Sequence, residues 1–308
     1  MAVHSLSDNF AYFFSRINPS PTWVEKASSQ YNSIKGVLEN ATGDIAKLNP
    51  KIFLQGSYGR DTAIYAINDL DIVALCDLWY PPTQGGGNSW GRNKIFDTLA
   101  EPLFNDGRYA SKVTYGPNSM CIKLDLGIKV EILPAVFKSG NKDPDIEPFY
   151  LYRPERGQWE QGVAKYHQIY LTEKNRYTNG NFIPMVKVLK HIRSRFDSNA
   201  VSFHLECLLH AMTNQLFEGS AADYITQIIT TISRHTFTEW QTWNIETPCG
   251  DRKLFSNSEW KSSDWLNFHS LLSQIAPILV EATYTNDRSH AVKCWQQVLG
   301  ESYFPAYE

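Results

Sequence analysis

The stretch Phe53–Leu75, FLQGSYGRDTAIYAINDLDIVAL, decides how the rest of the chain is read. An apolar run, Ile52-Phe53-Leu54, stops at Gln55-Gly56-Ser57. About a dozen residues later, Asp69-Leu70-Asp71 opens into a second apolar run, Ile72-Val73-Ala74-Leu75. Side chains alternate along a strand, so Asp69 and Asp71 leave from one side, about 7 Å apart, while Leu70 and Ile72 face a core. Two like charges on one face repel, and a divalent cation held between them offsets that cost. Mg²⁺ takes one or two carboxylates together with phosphate oxygens, and a pair of such ions suits phosphoryl or nucleotidyl transfer. Gly56-Ser57 then fits a phosphate, because glycine lets backbone approach an anion and the following N–H groups and hydroxyl donate to it. A turn followed by two solvated acids is the plainer reading of Asp-x-Asp alone. Strand, Gly-Ser, helix-length spacer and Asp-x-Asp in that order favour chemistry.

A third acid is sought on a later strand. In Ile128–Val136 (IKVEILPAV), Val130 and Ile132 face one way, and Lys129, Glu131 and Leu133 the other. A glutamate among β-branched residues on a central strand is costly unless something binds it, which makes Glu131 the candidate third metal carboxylate. A structural pairing of Glu131 with Lys129 or an arginine is the plainer reading, and Asp125, on the preceding strand, is the alternative ligand.

Composition bounds the remaining possibilities. The 308 residues suffice for two domains with substantial cores, and 43% hydrophobic with 20% charged residues describe a globular protein. A net charge of −3 disfavours a broad basic surface for duplex nucleic acid, and with it a duplex nucleic-acid activator. Five scattered cysteines, with no Cys-x-x-Cys pair, indicate a reduced, cytoplasmic protein without disulfides. No signal-peptide pattern opens the chain and no apolar run reaches the length of a membrane span, so no membrane partner is expected.

Helices are expected over 5–18 and 22–40, the second capped by Thr22 with Glu25, its stripe Trp23, Ala27, Tyr31, Ile34 and Leu38 bracing a sheet. Residues 80–91, with three consecutive glycines, read as a loop. A short helix at Ile95–Leu103 and strands at Val113–Tyr115 and Cys121–Leu126 follow. Residues 137–162 read as a polar crossing linker. From about 163 the pattern is helical: Val163–Asn175, Phe182–Phe196, Ser202–Phe217, Ala221–Thr236, Trp265–Thr283 and Ser289–Gly300. The expected architecture is therefore an α/β (α+β) core with a mixed sheet over 1–160 and a helical domain over 161–308, with the active site in the cleft between them. His204-x-x-Cys207-x-x-His210 lacks a fourth zinc ligand and reads as helix packing. Tyr58, Phe149, Tyr150 and Tyr152 offer faces for base stacking, although each also suits packing. Lys187, Lys190, Arg193 and Arg195 make one helix basic, and Ser202 opens the next helix, where free N–H groups favour an anion.

The Gly-Ser and Asp-x-Asp unit resembles the signature of the DNA polymerase β-like nucleotidyltransferases. The wider set QGSYGRDTAI, NDLDIVAL, KVEILPAV, IPMVKVLKHIR, SFHLE and AVKCWQQVLGESYFPAY is similar, in this order, to the bacterial cGAS/DncV-like nucleotidyltransferases of CBASS anti-phage systems, and more distantly to oligoadenylate synthetases. The resemblance implies that Asp69, Asp71 and Glu131 hold two Mg²⁺ ions, Mn²⁺ being a possible substitute. It implies that Gln55, Gly56, Ser57, Lys190 and Ser202, with Lys187 as the alternative lysine, bind a nucleoside triphosphate. Many relatives carry Asp where this chain has Glu131. The implied activity joins NTPs, with pyrophosphate release, into a cyclic di- or oligonucleotide second messenger sensed by an effector protein of the same system. A tRNA-end, poly(A) or linear-oligonucleotide nucleotidyltransferase and a catalytically silent nucleotide-binding module are the competing readings. The acidic balance opposes the first, and retention of all three acids with Ser57 opposes the second.

Overall fold

The computed structural model describes residues 1–65, 67–80, 83–84, 88–137, 149–154, 157–162, 164–256 and 258–306. In chain order come α1 (Ser7–Ile17), α2 (Pro21–Glu39), α3 (Asp44–Leu48), β1 (Lys51–Leu54), the single turn α4 (Gly56–Gly59), β2 (Asp69–Trp79), β3 (Thr83–Gln84), β4 (Asn88–Ser89), α5 (Arg92–Asn105), β5 (Val113–Thr114), β6 (Ile122–Asp125), β7 (Lys129–Phe137), β8 (Phe149–Arg153) and β9 (Gln158–Gly162). Helices follow: α6 (Ala164–Tyr177), α7 (Phe182–Arg195), α8 (Ser202–Ala211), a 3₁₀ turn (Asn214–Phe217), α9 (Ala221–Arg234), α10 (Phe237–Thr242), α11 (Ser262–Tyr284) and α12 (Arg288–Leu299).

β2 lies inside the mixed sheet, antiparallel to β1 and parallel to β7, and β6, β8 and β9 extend it through antiparallel pairs. Alternation along β2 and β7 gives the sheet two different faces. Leu70, Ile72, Ala74, Val130 and Ile132 point into a core that takes Ala27, Ile34 and Leu38 of α2 and Ile95, Phe96 and Leu99 of α5, so α2 braces the sheet as expected. Val73, Leu75, Leu133 and Ala135 point the other way into a smaller cluster with Phe149 and Leu151. Asp69, Asp71 and Glu131 precede those residues on the same face, so the carboxylates and the small cluster share one surface of the sheet.

Three local expectations need correction, and one further helix appears. The cap of α2 is Ser20, whose side chain accepts from Trp23 N, with Pro21 at the first helical position. Thr22 is already inside the helix, because Pro has no N–H to lose at that place and its φ is preset. The spacer between Gly-Ser and Asp-x-Asp holds one helical turn, not a full helix. Of the 137–162 linker, the described part forms the hairpin β8–β9. Residues 237–242, between the expected helices 221–236 and 265–283, form α10 under a capping box of Thr236 and Glu239. The glycine run 85–87 and the linker segment 138–148 lie outside the described residues.

The chain folds as two compact units. A sheet unit comprises 20–61 and 66–168, and a helical unit comprises 1–19, 62–65 and 169–308. This division differs from a single boundary near 160. α1 belongs with the helices because Phe10, Phe13 and Ile17 are buried in their core, where Phe10 meets Trp295 and Phe304 edge-on at 4.9 and 5.0 Å.

Candidate active site

The end of β1 delivers the Gly-Ser turn beside the acids. Leu54 pairs with Ile72, and Gln55 N donates to Asp71 O at 2.9 Å, so the chain leaves the sheet directly alongside Asp71. Gly56 has φ +67°, and a Cβ built on it would lie 1.8 Å from Asp71 Oδ2. Only glycine allows this approach. Ser57 follows within the same turn, held down by Gly59 N donating to Gln55 O at 3.2 Å. The buried Gln55 Oε1 has no hydrogen-bond partner among the described residues.

Register sets the acids. Asp71 pairs with Glu131 and Asp69 with Lys129 across the parallel β2–β7 ladder, and Lys123 and Asp125 continue those two rows on β6. Asp71 and Glu131 are thus nearest neighbours, about 4.8 Å apart at the backbone, with Asp69 one pleat along. Asp125 sits two strands from Asp69 with Lys129 between them, and accepts from Gly127 N at 3.2 Å. Its position is the rim of the row, not beside Asp71.

The electrostatics match this crowding. Burial, then the charges of Asp69 and Glu131, push the half-buried Asp71 up to about 6, while Arg60 pulls it back. Lys123 Nζ stands 3.1 Å from Glu131 Oε1. Burial foremost, then the Glu131 charge, raises the Cys121 thiol to about 12, which leaves it a protonated donor toward Glu131. Carboxylates whose burial and mutual repulsion still raise Asp71, despite Lys123 and Arg60 nearby, fit a hard divalent cation such as Mg²⁺ or Mn²⁺. Lys123, Arg60 and Cys121 escaped the sequence reading. Lys123 alternates in phase with Asp125 and would have been found once the β6–β7 register was known; Arg60 and Cys121 carry no pattern of their own.

The remaining expected residues lie in the helical unit. Lys190 is 2% exposed, and its Nζ donates to Thr62 O at 2.9 Å, Thr62 Oγ1 at 2.8 Å and Glu206 Oε1 at 2.7 Å. Glu206, fully buried on α8, also accepts from Thr62 Oγ1 at 2.6 Å. Lys187 Nζ donates to Asn18 Oδ1 at 2.9 Å. Ser202 is the first residue of α8, after an N-cap at Val201, and its Oγ accepts from Arg193 Nη1 at 3.0 Å. Glu206 stands within the SFHLE motif, where sequence reasoning assigned it no partner; an acid four residues into an apolar helix was the available signal.

Other candidates resolve into packing. His204 stacks on Trp260 with its Nε2 3.3 Å from Glu259, and His210 meets Tyr170 edge-on, so these two rings take different partners. Tyr58 bonds Ser28 and packs on Trp23, Phe149 packs on Phe53, Tyr152 on Trp159, and Tyr150 stacks on Tyr80 at 4.1 Å.

A family model for the Second Messenger Oligonucleotide or Dinucleotide Synthetase domain matches residues 4–175, more than half of the chain. The chain belongs to this family. A second model, for the cGAS/DncV-like nucleotidyltransferase C-terminal helical domain, matches residues 170–276 of the same synthetase. The synthetase is 23% identical to the cyclic AMP-AMP-AMP synthase of Acinetobacter sp. (strain ATCC 27244 / 9458), over 98% of this chain and 86% of that one. It is 25% identical to the cyclic UMP-AMP synthase of Rhodothermus marinus (strain SG0.5JP17-172), over 71% of this chain and 82% of that one. Its fold matches that of E. coli MS115-1 CdnC with ATP at a TM-score of 0.72 and 16% identity, covering 98% of this chain and 99% of that one. The synthetase is accordingly a nucleotidyltransferase of a sheet core and a C-terminal helical domain. Among its described residues no helix is long and apolar enough to cross a membrane.

Proposed function

We propose that this synthetase joins nucleoside triphosphates into a cyclic di- or oligonucleotide in anti-phage defence, working in the cytoplasm and signalling to an effector protein that senses the product. The observation that carries the chemistry is the register of β2 on β7, which sets Asp71 beside Glu131 with Asp69 on the same face. Asp69, Asp71 and Glu131 would hold Mg²⁺. When bound, a pair of such ions neutralises the triphosphate, makes an acceptor hydroxyl more acidic and steadies departing pyrophosphate. Gly56 gives the triphosphate access to the backbone next to Asp71, and Gln55 and Ser57 supply side-chain contacts. Lys187, Lys190 and Ser202 complete the expected set. Because Lys190 bonds Thr62 and Glu206, and Ser202 bonds Arg193, a role in holding the helices competes with one at the triphosphate, and a separate variant distinguishes the two for Lys190.

The reaction is in-line displacement. An acceptor ribose hydroxyl loses its proton, its oxygen forms a bond to the α-phosphorus, and the bond to pyrophosphate breaks. A second round on the linear intermediate closes the ring. Most of the acceleration comes from positioning and charge neutralisation, which is what carboxylates held in register on the adjacent strands β2 and β7 provide.

The test is incubation of the purified chain with all four NTPs and Mg²⁺, without nucleic acid. Phosphatase-resistant product is expected, and Asp69→Asn with Asp71→Asn abolishes it while circular dichroism stays unchanged. Extension of added RNA alone would replace this reading with an RNA-directed one. No turnover of any NTP would leave a silent nucleotide-binding module.

A further inference from the structure

Where α11 meets α12 in the helical unit, three side chains of different chemistry converge on one imidazole nitrogen. Glu281 Oε1 lies 2.6 Å from His290 Nε2, and Cys294 Sγ lies 3.6 Å from the same atom. All three ligand atoms fall within 4.8 Å of one another. His290 and Cys294 are one turn apart on α12 and so share its face, while Glu281 projects from the last turn of α11. One proton on His290 Nε2 serves Glu281 at 2.6 Å but leaves that nitrogen no lone pair for Cys294. A neutral Nε2 either carries a hydrogen for Glu281 or offers a lone pair to the Cys294 thiol, and cannot do both. A cation would accept a lone pair from each once the exposed Glu281 carboxylate backs off from 2.6 Å to the roughly 3.3 Å that two ligands of one tetrahedral ion keep. We propose that Glu281, His290 and Cys294 form a Zn²⁺ site that clamps α12 to the end of α11.

The donor set selects the ion. One thiolate, one imidazole and one carboxylate suit a borderline-soft metal and are poor for Mg²⁺, and their net charge of two negatives matches a divalent ion. A water takes the fourth tetrahedral position. The site is reachable: the His290 and Glu281 side chains are 43% and 59% exposed. Cys294 beneath them is buried, and zinc entry displaces its thiol proton. The scaffold is already fixed without metal, since Asp287 Oδ1 caps α12 by accepting from His290 N at 3.1 Å, and Trp295, Val298 and Leu299 anchor the helix in the core.

The experiment uses the full chain, stripped with chelator and held in excess Mg²⁺ to occupy the acidic row. It is titrated with Zn²⁺ against a chromophoric chelator, and with Co²⁺ for spectroscopy. One equivalent of Zn²⁺ should bind and raise the thermal midpoint, and Co²⁺ should give tetrahedral bands with a thiolate charge-transfer band. His290→Ala and Cys294→Ser should each weaken binding by more than the roughly 10–100-fold typical of losing an outer-shell partner, and Cys294→Ser should erase the sulfur band. Cys249→Ser should change neither. His290 is surface-placed, so its variant keeps the test open if Cys294→Ser folds poorly. Absence of Zn²⁺ binding by the unmodified chain, or affinity and spectra unchanged in both site variants, would overturn the proposal.

Discussion

Asp71 reports on the site through its proton. Its folded pKa lies near 6, against 3.8 ordinarily, because burial and then the charges of Asp69 and Glu131 oppose ionisation. The folded chain therefore binds this proton more tightly than the unfolded chain does. The resulting penalty is absent below about pH 4, grows as pH rises and is complete above about 6, where it reaches at most about 3 kcal/mol. Asp71→Asn removes it, so urea denaturation of the metal-free variant at pH 7.5 should show higher stability than the parent while turnover is lost. At pH 4 the two should converge. Equal or lower stability of the variant at pH 7.5 would show that Asp71 carries no such burden. Gly56 offers a second test on the same contact. With φ +67° and Asp71 Oδ2 only 1.8 Å from where a methyl carbon would sit, Gly56→Ala is both strained and obstructed. A loss of more than about 1 kcal/mol is expected, together with loss of turnover even where the fold persists at low temperature.

At the scale of elements, the join of α7 to α8 is the point to probe. Lys190 and Glu206 are paired at 2.7 Å with side chains 3% and 0% exposed. Removing one partner, as in Glu206→Leu, leaves a buried charge and should cost about 3–5 kcal/mol, whereas Lys190→Met with Glu206→Leu should recover most of that. If Lys190 also meets the triphosphate, the double variant regains its thermal midpoint but not its turnover, and KM for NTP rises; that is the expected result. Full recovery of turnover would confine Lys190 to holding the helices together. The same join shows what a sequence exposes. The acids were legible because strand alternation is strictly two-residue, so Asp69, Asp71 and Glu131 announce a common face once the strands are placed. The stripe of α2 was legible for the analogous reason, as were the helical spans of α7 and α11. Glu206 was not, because its partners Lys190 and Thr62 lie 16 and 144 residues away, and local periodicity carries no information about such pairings. The β8–β9 hairpin was hidden by its charge and glycines, which composition assigns to a linker although cross-strand pairing overrides it. The shift of the α2 cap from Thr22 to Ser20 turns on Pro21, whose preset φ lets the helix begin earlier.

For the whole molecule, the division into units predicts which pieces can stand alone. The sheet unit is nearly continuous in sequence, from 20 to 168 apart from residues 62–65. Among the described residues, its main core, from Ala27 to Val136, draws on side chains within that span. The helical unit is different, since residues 1–19 are part of it although 149 residues separate them from 169. Phe10, Phe13 and Ile17 are no more than 4% exposed within the helical core, with Phe13 edge-on to the His191 ring at 5.3 Å. Losing several such side chains costs about 2–5 kcal/mol each, comparable in sum with the whole stability of a domain. A fragment of 169–308 should therefore expose an apolar groove, bind a hydrophobic dye and melt without cooperativity. Joining residues 1–19 to it through a flexible linker should restore a cooperative thermal transition, and Phe10→Ala with Phe13→Ala in that joined fragment should abolish it again. The fragment 20–168 should melt cooperatively on its own. Cooperative melting of 169–308 without the N-terminal helix would mean that α1 merely rests on a core complete without it.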